Sequence, residues 1–277
     1  MGDPVVLVHG LYGGASSEEF EHNIYILSRK FYVYAIDLLG FGYSDKPAMR
    51  YRAELYPTLL HDFIRSVVRS PAHIVAAGAS CAYAATLAAE HPSFVQKMIL
   101  LSPEDNVRQS LLRRRLAFPL GEAFRLLLLT PPFRWMFQEV MSGEWEVSEL
   151  LRRSISSSRR IRHIQLERLR ELAREPGVLN TYASMEAGFL FTSLAEQLPK
   201  VKCPTLFLCG REVSSETISE LNGFAHMTPG SRIEYVDRAG LWVHTERPVE
   251  VNRLIVDFLN DSAEHASHEN IKLLADA

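Results

Sequence analysis

Apolar positions along this chain follow two patterns that take turns. Short uninterrupted runs at 5–8, 32–36, 73–77 and 98–101 have the length of strands buried on both faces. Between them, apolar residues recur at helical spacing: Phe20, Ile24 and Leu27 within 18–30, and Leu59, Phe63 and Val67 within 54–68. A further helix is expected over 81–90, stopped near Pro92. Turn residues close the runs: His9-Gly10 after the first, Asp37 and Gly40-Phe41-Gly42 after the second, Gly78 after the third. Strands alternating with helices predict an α/β fold with a mostly parallel central sheet flanked by helices.

The rhythm stops at about residue 106. From 106 to 195 no run reads as a strand; the segment is rich in Leu and Arg and punctuated at Pro119, Pro131-Pro132 and Pro176-Gly177. The alternation then returns, with strands expected at 205–209 and 232–236 and helices at 216–225 and 248–259. The expected organisation is a core made of 1–105 and 196–260, an all-helical insertion at 106–195 over one end of the sheet, and a polar, frayed tail at 261–277. No internal repeat is visible.

Composition narrows the classes of function. The chain has 277 residues, is 47% hydrophobic and carries a net charge of −3, which excludes a dedicated basic nucleic-acid binder. No apolar run is long enough to span a membrane, and no basic-then-apolar leader opens the sequence. Three irregularly spaced cysteines, Cys81, Cys203 and Cys209, form neither a disulfide framework nor a metal site, and the expected setting is cytoplasmic. Charge is uneven: residues 107–175 hold 14 Arg and 8 Glu with no Lys or Asp. Such a block suits an anionic partner or ligand, or a solvated helix face laced with pairs such as Glu167 and Glu171 with Arg170 and Arg174.

The turn Gly78-Ala79-Ser80-Cys81-Ala82, between an expected strand and an expected helix, is the most informative local feature. A serine flanked by small residues on such a turn fits a nucleophile elbow, with strained backbone at the serine and a helix N-terminus beneath it. Ser80 is therefore the candidate nucleophile. The loop His9-Gly10-Leu11-Tyr12-Gly13-Gly14 after the first strand suits an oxyanion hole, with the backbone N–H of Leu11 joining that of Cys81. The His9 ring is expected to pin that loop, and Asp37 and Asp45 to cap turns.

These stretches together resemble the α/β-hydrolase superfamily. The likeness runs through 5–14, 32–47 (Asp37-Leu38-Leu39-Gly40-Phe41-Gly42-Tyr43-Ser44-Asp45-Lys46-Pro47), the elbow, 204–210 and 239–259. Its flavour is that of the chloroplast and cyanobacterial hydrolase-like branch, through His22-Asn23-Ile24 and Val33-Tyr34-Ala35-Ile36-Asp37. The resemblance implies that 106–195 is a lid over the active site. It also implies an antiparallel hairpin ahead of the first strand, for which only a few residues are present here. It places the catalytic acid three residues past Gly210, at Val213, and the catalytic histidine after Ala239-Gly240, at Leu241. Neither side chain can move a proton, so the expected triad is degenerate. Nearby substitutes are His244 as base and Glu104 as acid, with Asp105, Glu212 and Glu216 behind them; Cys81 is a poorer nucleophile, one residue past the serine.

The resemblance thus implies a serine hydrolase, esterase-like, acting on a small or lipid-like acyl substrate, without a complete triad. The alternatives are an inactive member that binds a ligand or partner, or a lyase or cyclase using only the oxyanion hole. Neither a cofactor nor a metal is expected. The expected ligand is a small or lipid-like molecule held between lid and core. The apolar run 124–129, with Phe133, Trp135, Met136 and Phe137, lines a pocket, packs the lid or lets it touch a membrane peripherally.

Overall fold

The computed structural model describes residues 2–105, 120–142 and 163–261. Six strands form one sheet: β1 (Pro4–Val8), β2 (Tyr32–Ile36), β3 (Ala72–Ala77), β4 (Val95–Leu101), β5 (Thr205–Gly210) and β6 (Arg232–Val236). Their spatial order is β2-β1-β3-β4-β5-β6, and every neighbouring pair is parallel. The central strands are largely apolar because both faces are covered. Val6, Ile74, Met98 and Phe207 belong to one core, and Val5, Val75, Ile99 and Leu206 to the other. At the edge, β6 alternates between exposed Arg232 and Glu234 and more buried neighbours.

Flanking elements follow the expected helical periods, with local differences. The stretch 18–30 begins as a 3-10 turn, Ser17–Phe20, capped by Ser16, and continues as α1 (Glu21–Leu27). The stretch 54–68 is α2 (Leu55–Phe63) followed by a π turn, Ile64–Val68. Arg69, at φ 61°, closes it by donating its N–H to the Ile64 carbonyl at 2.7 Å. The strand expected at 98–101 starts earlier, at Val95. Gln96 and Lys97 hide that start, and Lys97 Nζ reaches the carbonyls of Phe258, Leu259 and Asp261 at the end of the helix Pro248–Asn260.

Within 106–195 the described residues form helices at 120–129, Pro131–Ser142, His163–Ala173 and Val178–Glu186, with turns and irregular chain at 174–177 and 187–195. The remainder of that segment, and the expected polar tail beyond 261, lie outside the described residues. The last of these helices, Val178–Glu186, is bonded to the loops that follow β1 and β2. Tyr182 Oη accepts the Gly14 N–H at 2.7 Å, and Ser184 Oγ accepts the Tyr51 N–H at 3.2 Å. Among the described residues, no helix is long and apolar enough to cross a membrane.

Candidate functional site

The site lies where β1, β3 and β4 end. After β1, His9 folds under its own loop. Its Nε2 accepts the Leu38 N–H at 3.0 Å, so its Nδ1 carries the proton and donates to the Gly10 carbonyl at 2.7 Å. Burial lowers its pKa, which suits this neutral tautomer. The ring is thus a loop pin, and the backbone of Gly10, Leu11 and Tyr12 lines a cavity of about 80 Å³.

The chain turns out of β3 at Gly78, two residues before the expected position. Gly78 adopts φ +54°, lines that cavity with Ala77 and Ala79, and has open space where a Cβ would project. Only glycine takes that conformation without strain. Ser80 instead has φ −68° and ψ −13°, ordinary helical values at the start of α3 (Cys81–Glu90). It is fully buried, it is not part of the cavity lining, and its hydroxyl has no hydrogen-bond partner. The strained apex expected at Ser80 is therefore at Gly78. The same shift removes Cys81 as an oxyanion donor: its N–H already serves the carbonyls of Gly78 and Ala79. Its thiol is sealed as well, donating to the Ala76 carbonyl at 3.3 Å, and burial pushes its pKa far up. Leu11 does line the cavity, and the residue facing it across the turn is Ala79. The clue in the sequence was Gly78 itself, the first residue after the apolar run and the one suited to a positive φ.

The candidate base and acids are arranged differently from expectation. His244, 1% exposed in its side chain, does not reach the Ser80 hydroxyl; its Nε2 lies 2.9 Å from Glu19 Oε1. Glu19, 2% exposed, uses its other oxygen to accept the Gly10 N–H at 2.8 Å and the Tyr12 hydroxyl at 3.0 Å. Burial alone would raise the Glu19 carboxyl. The hydrogen bond and charge of His244, with the Gly10 N–H, outweigh it and hold the group below its usual range. Burial, reinforced by the Glu19 charge, drives the Tyr12 phenol far upward. Glu19 was not singled out by the sequence, because Glu18-Glu19 reads as an ordinary acidic helix start.

Glu104 lines the cavity beside Ser102 but does not bond the Ser80 hydroxyl. Asp105 instead accepts the Ala195 N–H at 3.2 Å and the Ser193 hydroxyl at 3.3 Å. Leu241 and Trp242 complete the cavity wall. Val213 packs against the larger core, while Glu212 and Glu216 are exposed. Tyr12, Glu19 and Trp242 are shared with a second cavity of about 590 Å³, which extends to the helix His163–Ala173. Among the described residues, no three His, Cys, Asp or Glu side chains converge as a metal-binding group.

Comparison with known proteins agrees with this architecture. The sequence profile described as the alpha/beta hydrolase family matches residues 5–254. A 2-hydroxy-6-oxo-6-(2'-aminophenyl)hexa-2,4-dienoic acid hydrolase from Metapseudomonas resinovorans is 43% identical over 67 residues, 24% of this chain and 23% of that enzyme. A probable lysophospholipase, BODYGUARD 4, from Arabidopsis thaliana is 34% identical over 42% of this chain and 30% of its own length. The chain therefore spans less than a third of either of these two relatives. A putative 2-succinyl-6-hydroxy-2,4-cyclohexadiene-1-carboxylate synthase from Bacillus subtilis (strain 168) is 25% identical over 93% of this chain and 90% of that protein. Among solved structures, a serine hydrolase involved in carbazole degradation superimposes with a TM-score of 0.75 at 23% identity, covering 93% of this chain and 91% of the other.

Proposed function

The chain belongs to the alpha/beta hydrolase family, and from that premise we propose that it binds a small molecule in its two adjoining cavities without forming an acyl-serine. One observation carries the reading: the turn that would present a nucleophile ends in Gly78, and the nearby Ser80 is sealed without a base. A serine alcohol attacks only when it reaches the substrate and a base takes its proton. Val213 and Leu241, where the family resemblance implies acid and histidine, supply no proton acceptor. The relatives named above are hydrolases and a putative synthase, so a small-molecule ligand between the sheet end and the helices of the inserted segment fits the fold.

A second reading is supported by the anchored loop after β1. Glu19 fixes the Gly10 N–H and the Tyr12 hydroxyl, which holds the Leu11 backbone at the cavity edge. Leu11 and Ala79 would then polarise a ligand carbonyl without a covalent step, the chemistry of a lyase or cyclase.

The test is reaction with a fluorophosphonate probe and with p-nitrophenyl esters, beside Ser80→Ala and the combined variant Gly78→Ser, Val213→Asp, Leu241→His. The native protein and Ser80→Ala should be equally unlabelled and inert to the esters. The combined variant should gain labelling, since an added side chain at Gly78 enters open space. Labelling of the native protein that disappears in Ser80→Ala would overturn the proposal.

A further inference from the structure

The smaller cavity holds a buried nitrogen without a partner. His244 lines that cavity with its side chain 1% exposed, and its Nδ1 has no hydrogen-bond partner among the described residues. The other ring nitrogen, Nε2, lies 2.9 Å from Glu19, whose carboxyl is held below its usual range and is ionised at neutral pH. A carboxylate at that distance keeps the ring proton on Nε2 and leaves the lone pair on Nδ1. The ring is held in place: Phe20 packs on it at 5.0 Å and 32°, and Glu19 is itself tied to the Gly10 N–H and the Tyr12 hydroxyl. A base with a fixed orienting group behind it is the arrangement that proton transfer needs.

The other walls of the cavity are built for a small polar group. Ser102, which follows β4, lines the cavity at φ 42°, a strained value for a residue with a side chain and one that clusters at functional sites. Its hydroxyl reaches only the Cys209 Sγ at 3.7 Å, a weak partner. At the turn after β3, Gly78 leaves open space where a side chain would project, and Leu11 and Ala79 bring backbone to the wall. The volume is about 80 Å³ against about 30 Å³ for one liquid water, which admits a carbonyl and the carbon next to it. The rest of a molecule continues past Tyr12 and Trp242, which the larger cavity shares.

We infer that His244 is the proton acceptor of this site, removing a proton from the carbon next to a carbonyl, so that the substrate class is an enolisable ketone. The C–H bond breaks and its proton moves to Nδ1. Its electron pair forms a carbon–carbon double bond, and the carbonyl π pair moves onto the oxygen beside the Leu11 and Ala79 N–H groups. The Glu19 charge offsets the positive charge gained by the ring. Return of a proton from Nδ1 to carbon closes the cycle, with nothing oxidised or reduced. This rests on the second reading above, in which Leu11 and Ala79 polarise a carbonyl, and adds the base and the substrate class.

The test incubates the full chain in deuterated water with butanone, cyclohexanone and benzylacetone, and follows loss of the signals of the protons next to the carbonyl by NMR. At least one ketone should exchange about a hundredfold faster than in buffer alone. His244→Gln keeps a donor for Glu19 but has no nitrogen in the place of Nδ1, so it should stay folded by near-UV circular dichroism and lose most of that acceleration. Gly78→Asn tolerates the positive φ, fills the open space and should block exchange without touching the base. Ser80→Ala should exchange like the native protein. Exchange at the buffer rate for all three ketones would overturn the inference, as would undiminished exchange in folded His244→Gln or Gly78→Asn. Saturation-transfer NMR separates the causes of failure. A ketone that binds without exchanging removes only the role of His244, whereas absence of both binding and exchange removes the carbonyl reading as well.

Discussion

Removing the Glu19 carboxylate should destabilise the protein more than any surface charge change. Glu19 ties its own turn to two other pieces of chain: the His244 ring at 2.9 Å and, in the loop after β1, the Gly10 N–H at 2.8 Å and the Tyr12 hydroxyl at 3.0 Å. The Glu19 and His244 side chains are 2% and 1% exposed, so the pair is desolvated in the folded chain. Leaving the buried Gly10, Tyr12 and His244 groups without their common acceptor should cost about 3–5 kcal/mol in all, at about 1–3 kcal/mol per stranded group with overlap. Glu19→Ala should therefore lower the melting temperature by about 6–20 °C, at roughly 2–4 °C per kcal/mol for a domain of this size. Glu19→Gln keeps an acceptor for the loop and should lose about half as much.

Acid adds a second signature. The folded-state pKa of Glu19 is held below the ordinary 4.5, so the unfolded chain binds the proton more readily. The stabilisation is complete above about pH 4.5 and is lost as pH falls through the depressed folded-state value. Thermal melts at neutral pH and in acid, with Glu19→Gln beside the native chain, read both effects. A melting temperature for Glu19→Ala within about 2 °C of native, well below the shift expected from stranding those groups, would refute the reasoning.

Two other changes probe the frame around the cavities. At Gly14, φ is +79° and a Cβ would sit 2.2 Å from the Leu169 carbonyl oxygen, so Gly14→Ala should cost about 1–3 kcal/mol in denaturant unfolding. Tyr182→Phe strands the same residue's buried N–H and should cost about 1–3 kcal/mol, and the double variant should fall short of the sum because both changes disturb one contact. His73 pairs in register with Val5 at the start of β1 and packs edge-on against Phe31, and burial lowers its pKa to about 4. Its neutral form is favoured on folding, so stability should decline as pH falls from about 6.5 towards 4, and His73→Leu should flatten unfolding profiles across that window.

Most of the scaffold could be read from the residues alone. Near-continuous apolar runs specify strands covered on both sides, as at β1, β3 and β5, where the polar exceptions His73 and Thr205 fall at the strand starts. The start of β4 was hidden because Gln96 and Lys97 interrupt the run, and only the approach of the helix Pro248–Asn260 gives Lys97 its carbonyl partners. The tight turn after β3 was located within two residues, but its positive-φ residue depends on where β3 stops pairing. That is a matter of tertiary register: Ala77 still pairs with Leu101, so the turn falls on Gly78 and Ser80 enters the helix.

Sequence by itself determined the alternation of strands and helices, the pinned loop after β1, and the apolar residues at Val213 and Leu241. These follow from short-range periodicity and residue chemistry, which neighbouring positions settle among themselves. Only the folded chain decided that His244 meets Glu19, that Ser80 is sealed, and that Tyr12 and Trp242 share a cavity with the helix His163–Ala173. Each of these joins residues distant in sequence, or depends on which face of a helix is buried. The energy of such contacts comes from excluding water around particular pairs, and linear order does not record which pairs those are.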